Sequence, residues 1–248
     1  MSLSINTNTA SQFAGNAFRS VSDAFDSSLE KIASGKSINR AADNASGMVL
    51  ADSLNNAALS MGQQSRNASD SISMLQIRES ALGQAVGIIQ DIGEKAVQAA
   101  SDTQTPETRR AIQEDVGKSI QALTDIYEGT TFNGKSLLSD VPGLAELSEL
   151  NLSSREGAEA AQEAVGAALD VISSSRSDVG SQQIQLEAEI SNLGTQQVES
   201  MRSASQIEDV DIAEEVMNMK RLDLLKKTSA FAQSKANISG QRVVDLLG

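Results

Sequence analysis

The sequence predicts a mainly α chain: a long helical coiled-coil rod with a small β-hairpin, its N- and C-terminal helices paired. Three observations carry this. Apolar residues recur at alternating intervals of three and four over most of the 248 residues. Aromatic residues are only 2% of the chain and Trp is absent, so Ala, Leu, Ile and Val must form a core suited to thin helices rather than a broad globule. Only Pro106 and Pro142 could interrupt helices, and both fall where a turn is otherwise expected.

The elements follow in order. Ala14, Phe18, Val21, Phe25, Leu29 and Ile32 mark one face of a first helix, which Gly35 closes as a left-handed cap before the loop-like GKSINRAADNASG. A second helix starts at about Ala41 or Asn44 and passes Leu50, Leu54 and Ala58 toward Met61. From Ile72 the row Leu75, Glu79, Leu82, Val86, Ile89, Gly93, Ala96, Ala100 keeps coiled-coil spacing, broken only by Glu79 and Gly93. That element is about 45 Å long at the helical rise. Thr105 caps the next helix and Pro106 stands just inside it; Ile112, Val116, Ile120, Leu123 and Tyr127 carry it to Gly129.

Between residues 129 and 150 the character changes. Asn133-Gly134 between apolar flanks predicts a β-hairpin, and Pro142-Gly143 a further turn; so short a hairpin must lean on the helices. Val165, Ile172, Val179, Leu186 and Leu193 then stand seven apart on another long helix. After Ile207 the row restarts three positions later as Val210, Met217, Leu224, Phe231 and Ile238, which predicts a break near Ser203 to Glu208.

The composition also excludes chemistry. With neither Cys nor His the chain has no thiol nucleophile, imidazole base, disulfide or zinc site, and no catalytic, metal or cofactor residues are assigned. The start MSLSINTNTASQFAG lacks a basic region followed by an apolar run, so no cleavable signal is expected, and no apolar run is long enough to insert in a membrane. Net charge is −13 but unevenly spread: residues 1–40 and 217–248 are net basic, whereas 41–216 hold ten Lys and Arg against twenty-eight Asp and Glu. An acidic middle repels phosphates and argues against nucleic acid.

Other motifs have plain readings. Gly35-Lys36-Ser37 looks like half of a phosphate-binding loop, but Glu30 stands where its first glycine belongs, so helix termination is preferred. Asp209, Asp211, Glu214 and Glu215 lack the spacing of a calcium loop and suit a negatively charged first helical turn. Carboxylate pairs such as Glu187 with Glu189, or Asp23 with Asp26, belong to exposed helix faces. Lys220, Arg221, Lys226, Lys227, Lys235 and Arg242 interleave with Leu and Phe at helical spacing, as in an assembly helix. The self-assembly candidates are therefore Phe13, Phe18, Val21, Phe25, Leu29, Val210, Met217, Leu224, Phe231 and Ile238. The terminal helices, each with one apolar stripe, should be disordered alone and fold on assembly, because ordering costs 1–2 kcal/mol per residue on the order of magnitude.

INTN, SLEKIASGKSIN, AADNASGM, RNASDSISMLQ, VQAA and TTFNG closely resemble the N-terminal half of bacterial flagellins. ALDVISSSRSDVGSQQIQLEAEISNL, SQIEDVDIAEE and VVDLL resemble the C-terminal half, in the same order. The resemblance implies a terminal coiled-coil assembly domain at 1–40 with 207–248, and an outer helical rod at 41–206 carrying the hairpin near 129–150. It implies a non-enzymatic subunit that polymerises into the filament used for swimming, exported by the flagellar type III apparatus to the cell exterior. Alternatives are a hook–filament junction protein or a secreted coiled-coil adaptor that does not polymerise. Implied partners are other copies of the chain, an export chaperone, the filament cap and the hook-junction proteins. Only about residues 135–160 are available for outer domains, so these are expected to be absent and the filament thin and smooth. Where many members carry an arginine-rich patch read by an innate-immune toll-like receptor, this chain has Gln90-Asp91-Ile92-Gly93-Glu94-Lys95, which implies weak recognition.

Overall fold

The computed structural model describes residues 8–139, 141, 147 and 150–247. Residues 1–7 and the Pro142–Gly143 pair lie outside the described residues. Among those described, the chain forms helices α1 (Thr9–Ser34), α2 (Ala41–Ala100), α3 (Pro106–Gly129), α4 (Arg155–Glu208) and α5 (Ile212–Leu247), with strands β1 (Thr131–Phe132) and β2 (Lys135–Ser136). The predicted class, mainly helical with one small hairpin and paired terminal helices, is the observed one. By packing, Ser60–Gln196 forms one compact unit and Met1–Leu59 with Gln197–Gly248 another.

In the Ser60–Gln196 unit the row on α2 becomes a core. Leu82, Ile89, Ile92, Ala96 and Ala99 are fully buried and cluster with Val116 and Leu123 of α3 and Val165, Ile172 and Val179 of α4. Each such Leu, Ile or Val stabilises by about 1.5–3 kcal/mol relative to exposure. The two breaks in the row are contacts with α4. Oε1 of Glu79 accepts from both Nε (2.9 Å) and Nη2 (2.7 Å) of Arg176. A Cβ on Gly93 would stand 3.0 Å from Cγ1 of Val165, so glycine here lets the helices approach. Arg155 pairs with Asp102 at 2.8 Å. Partners that descend along α2 as their numbers rise along α4 show the two to be antiparallel.

The turn between α2 and α3 is closed from both sides. Thr105 caps α3 by accepting from the amide of Thr108, and Pro106 occupies the first turn, where its missing N–H costs nothing. Arg109 then reaches back to the carbonyls of Ala99 (2.8 Å) and Ser101 (3.0 Å), supplying donors to the end of α2. Beyond α3, Asn133 (φ 50°) and Gly134 (φ 77°) both take the left-handed conformation that a two-residue hairpin turn requires. Thr131 pairs with Ser136 and Phe132 with Lys135. The chain then lays Leu138, Val141, Leu147 and Leu152 into the core. Gln113 pins it there, donating to the carbonyl of Leu150 (3.0 Å) and accepting from the amide of Leu152 (2.5 Å).

Candidate functional site

The candidate site is the pair formed by α1 and α5 in the other unit. Asn8 starts α1 by accepting from the amide of Ser11, and Gly35 (φ 73°) ends it, its N–H donating to the carbonyl of Lys31. Asp211 accepts from the amides of Ala213 (2.9 Å) and Glu214 (3.2 Å) and so caps α5, with Glu214 and Glu215 in a first turn that favours negative charge. The break read near Ser203 to Glu208 falls just beyond Glu208, where α4 ends. Within α2, Asn44 is extended (φ −164°) and accepts from the amide of Gly47 (2.9 Å), beginning the regular helix at the second of the two expected starts.

The two connections cross as a short clamp. Lys36 and Asp209 form an isolated antiparallel bridge, with Ser37 N–H donating to the Glu208 carbonyl (2.5 Å) and Val210 N–H to the Gly35 carbonyl (3.0 Å). Lys36 reaches the carboxylate of Glu208 at 2.6 Å, and Glu208 is only 8% exposed. This hydrogen bond and charge raise the Lys36 ammonium above its ordinary range. Beside it, Asp43 accepts from the amides of Asn39 and Arg40 (3.0 Å each), which hold its carboxyl below the usual range.

The helices run antiparallel. The side-chain amide of Asn8 donates to the Ala236 carbonyl (2.9 Å), Ser11 bonds to Asn237, and Lys226 lies 4.9 Å over the ring of Phe25. Ser28, the buried residue of α1, donates to Glu215 at 2.5 Å, and that bond holds the Glu215 carboxyl below its ordinary range. Along α5 the partly or fully buried row is Glu215, Met219, Leu222, Lys226, Ser229, Gln233 and Ala236, at intervals of four and three. Along α1 it is Ser11, Ala14, Phe18, Val21, Phe25, Ser28 and Ile32. The seam is thus largely polar or small.

That arrangement sorts the ten predicted residues. Phe18, Val21 and Phe25 are half-buried in the chain's own seam, and Val210 is half-buried in the clamp. The others are left open: Phe13 is 78% exposed, Leu29 50%, Met217 67%, Leu224 65%, Phe231 64% and Ile238 42%. Four of these six form the apolar row of α5, which points away from α1. Sequence reasoning missed Ser28, Glu215, Lys36 and Glu208. The signal was a second seven-residue row, Glu215, Leu222, Ser229 and Ala236, which a search for apolar residues passes over.

A family model described as the bacterial flagellin N-terminal helical region matches residues 5–142, and one described as the C-terminal helical region matches residues 162–247. The chain belongs to the bacterial flagellin family. Flagellin B of Helicobacter pylori (strain ATCC 700392 / 26695) is 44% identical over 139 residues, 56% of this chain and 27% of that protein. Flagellin A of Helicobacter mustelae is 47% identical over 112 residues, 45% of this chain and 23% of that flagellin. The chain thus spans about a quarter of these relatives' length. The flagellin of Halalkalibacterium halodurans is 30% identical over 245 residues, covering 88% of this chain and 90% of its own length. The matched flagellin regions enclose both α1 and α5 up to Leu247.

Proposed function

We propose that this flagellin is a structural, non-catalytic subunit that polymerises with copies of itself into an extracellular bacterial flagellar filament for swimming. The observation that carries the reading is the uncovered row Met217, Leu224, Phe231 and Ile238 on a helix whose other face is already paired. A second copy covering the row removes that apolar surface from water. The terminal segments 1–40 and 207–248 form the assembly domain in this reading, and 41–206 the outer rod. Export through the flagellar type III apparatus, with an export chaperone, the cap and hook-junction proteins as partners, belongs to the same proposal. Purified protein seeded with filament fragments should elongate them into fibres visible by electron microscopy; protein that stays monomeric with competent seeds would refute it.

Recognition by the toll-like receptor is proposed to be weak. Asp91 holds Lys95 at 2.9 Å and accepts from Ser119 at 3.2 Å, so an acidic, internally paired group stands where a basic one would be read. The bond to Lys95 keeps the Asp91 carboxyl below its ordinary range. A strong cellular response to the purified monomer would contradict this.

A further inference from the structure

The Asn133-Gly134 pair makes the hairpin turn and also carries chemistry of its own. The carboxamide carbon of an asparagine is an electrophile, and the nitrogen of the following residue is the nucleophile closest to it along the chain. Attack is hindered where that N–H is already hydrogen-bonded and where the following residue carries a side chain beside it. Two loop asparagines fail on both counts. The N–H of Arg40, after Asn39, donates to Asp43 at 3.0 Å, and that of Leu152, after Asn151, donates to Gln113 at 2.5 Å. Asn67 in α2 and Asn192 in α4 precede amides held in the helical ladder.

Asn133 differs in each respect. It stands in the single Asn-Gly pair of the chain, and both residues are exposed. Among the described residues, neither its carboxamide nor the Gly134 N–H has a hydrogen-bond partner. Gly134 sets no side chain beside its nitrogen, and even a Cβ there would meet nothing within 4 Å. Closing a ring between that nitrogen and the carboxamide rotates Asn133 out of its left-handed conformation, so the turn loosens during the reaction. A ladder of only two residue pairs, Thr131 with Ser136 and Phe132 with Lys135, opens readily.

We infer that Asn133-Gly134 is a site of spontaneous backbone modification, in which the Gly134 nitrogen attacks Cγ of Asn133 and closes a succinimide. The N–Cγ bond forms, the Cγ–Nδ2 bond breaks, and the amide proton leaves with the departing ammonia. No oxidant or reductant takes part. Water then opens the ring at either carbonyl, leaving aspartate or isoaspartate in place of Asn133. Each adds one negative charge, but they differ in what they do to the fold. Aspartate tolerates the left-handed conformation, whereas isoaspartate inserts a methylene into the main chain and cannot close a two-residue turn. This goes beyond the filament reading and does not depend on it.

The test holds the full chain at mildly alkaline pH and samples it over days by peptide mass spectrometry. Asn133 should gain about 1 Da at least about tenfold faster than any asparagine of α2 or α4, with part of the product taking an isoaspartyl-specific methyl label. Gly134→Ala should slow the conversion by about tenfold or more. Alanine at this left-handed position loosens the turn, which alone would speed the reaction, so slowing reports the attack itself. Hydrogen exchange at the Leu137 N–H, which donates to the Thr130 carbonyl, reads the hairpin. Asn133→Asp should keep that amide as protected as in fresh wild type, and the isoaspartyl fraction should lose about tenfold or more of its protection. Conversion no faster than in the helices, a product without isoaspartate, or a Gly134→Ala rate equal to wild type would each overturn the inference. So would a fully protected Leu137 in the isoaspartyl fraction, or lost protection in Asn133→Asp.

Discussion

Gly93→Leu puts a branched side chain where even a Cβ would stand 3.0 Å from Val165. Overpacking of this kind costs about 1–3 kcal/mol, so the urea midpoint of the variant should fall. Gly87 is the contrasting case: a Cβ there meets nothing within 4 Å, and Gly87→Ala should raise stability by about 0.5–1 kcal/mol. Equal effects of the two changes would contradict the close approach of α2 and α4. At this scale the sequence was partly legible. The Gly35 cap, the Thr105–Pro106 start and the Asn133–Gly134 turn depend on neighbours in the chain, so local chemistry announces them. Glu79 and Gly93 could be seen to break a row but not explained, because their reasons, Arg176 and Val165, lie far along the sequence.

The α1–α5 pair and its clamp carry a pH dependence of both signs. Folded Glu215 titrates below its ordinary value of 4.5, so its stabilising contribution is complete above that value and is lost as pH falls through the lowered one. Lys36 has the opposite sign: raised above 10.5, it stabilises fully below that value, and the contribution is lost as pH rises through the folded one. Ser28→Ala removes the donor that depresses Glu215. Assembled fibres of that variant should lose about 1 kcal/mol per subunit at neutral pH and show a flatter pH dependence below 4.5, measured by light scattering during acid titration. An unchanged acid profile would rule out the bond as a determinant of pairing. That α1 and α5 pair was readable from their position and periodicity, and so was the pairing face of α1, where Ala14, Phe18, Val21 and Phe25 lie in the seam; the pairing face of α5 was not. Apolar periodicity identifies Met217, Leu224 and Phe231, whereas the internal seam runs through Ser28, Glu215, Ser229 and Gln233, whose hydrogen bonds and small size leave no hydropathy signal.

Over the whole molecule, stability should be distributed unequally. The Ser60–Gln196 unit contains a continuous cluster of buried Leu, Ile and Val, while the seam of the terminal pair buries little beyond Leu222 and Ser28 among the described residues. Unassembled protein exposed to a nonspecific protease should therefore be trimmed from both ends before it is cut between residues 60 and 196, and assembly should slow the trimming at least tenfold. Mass spectrometry of the early fragments decides this, and resistant ends would count against folding on assembly. Register has a consequence of its own. A row repeating every seven residues, as Val165 to Leu193 does, matches its partner nearly as well after a slip of seven as before it. The contacts of α4 with α2 and the turn that follows it do not repeat: a missing Cβ at Gly93, a guanidinium on Glu79 and an ion pair at Asp102 each occur at one height only. A slip of one heptad forfeits all three at once, so the apparent blemishes in the pattern work as a proofreading device, rejecting misaligned chains that hydrophobic matching alone would accept.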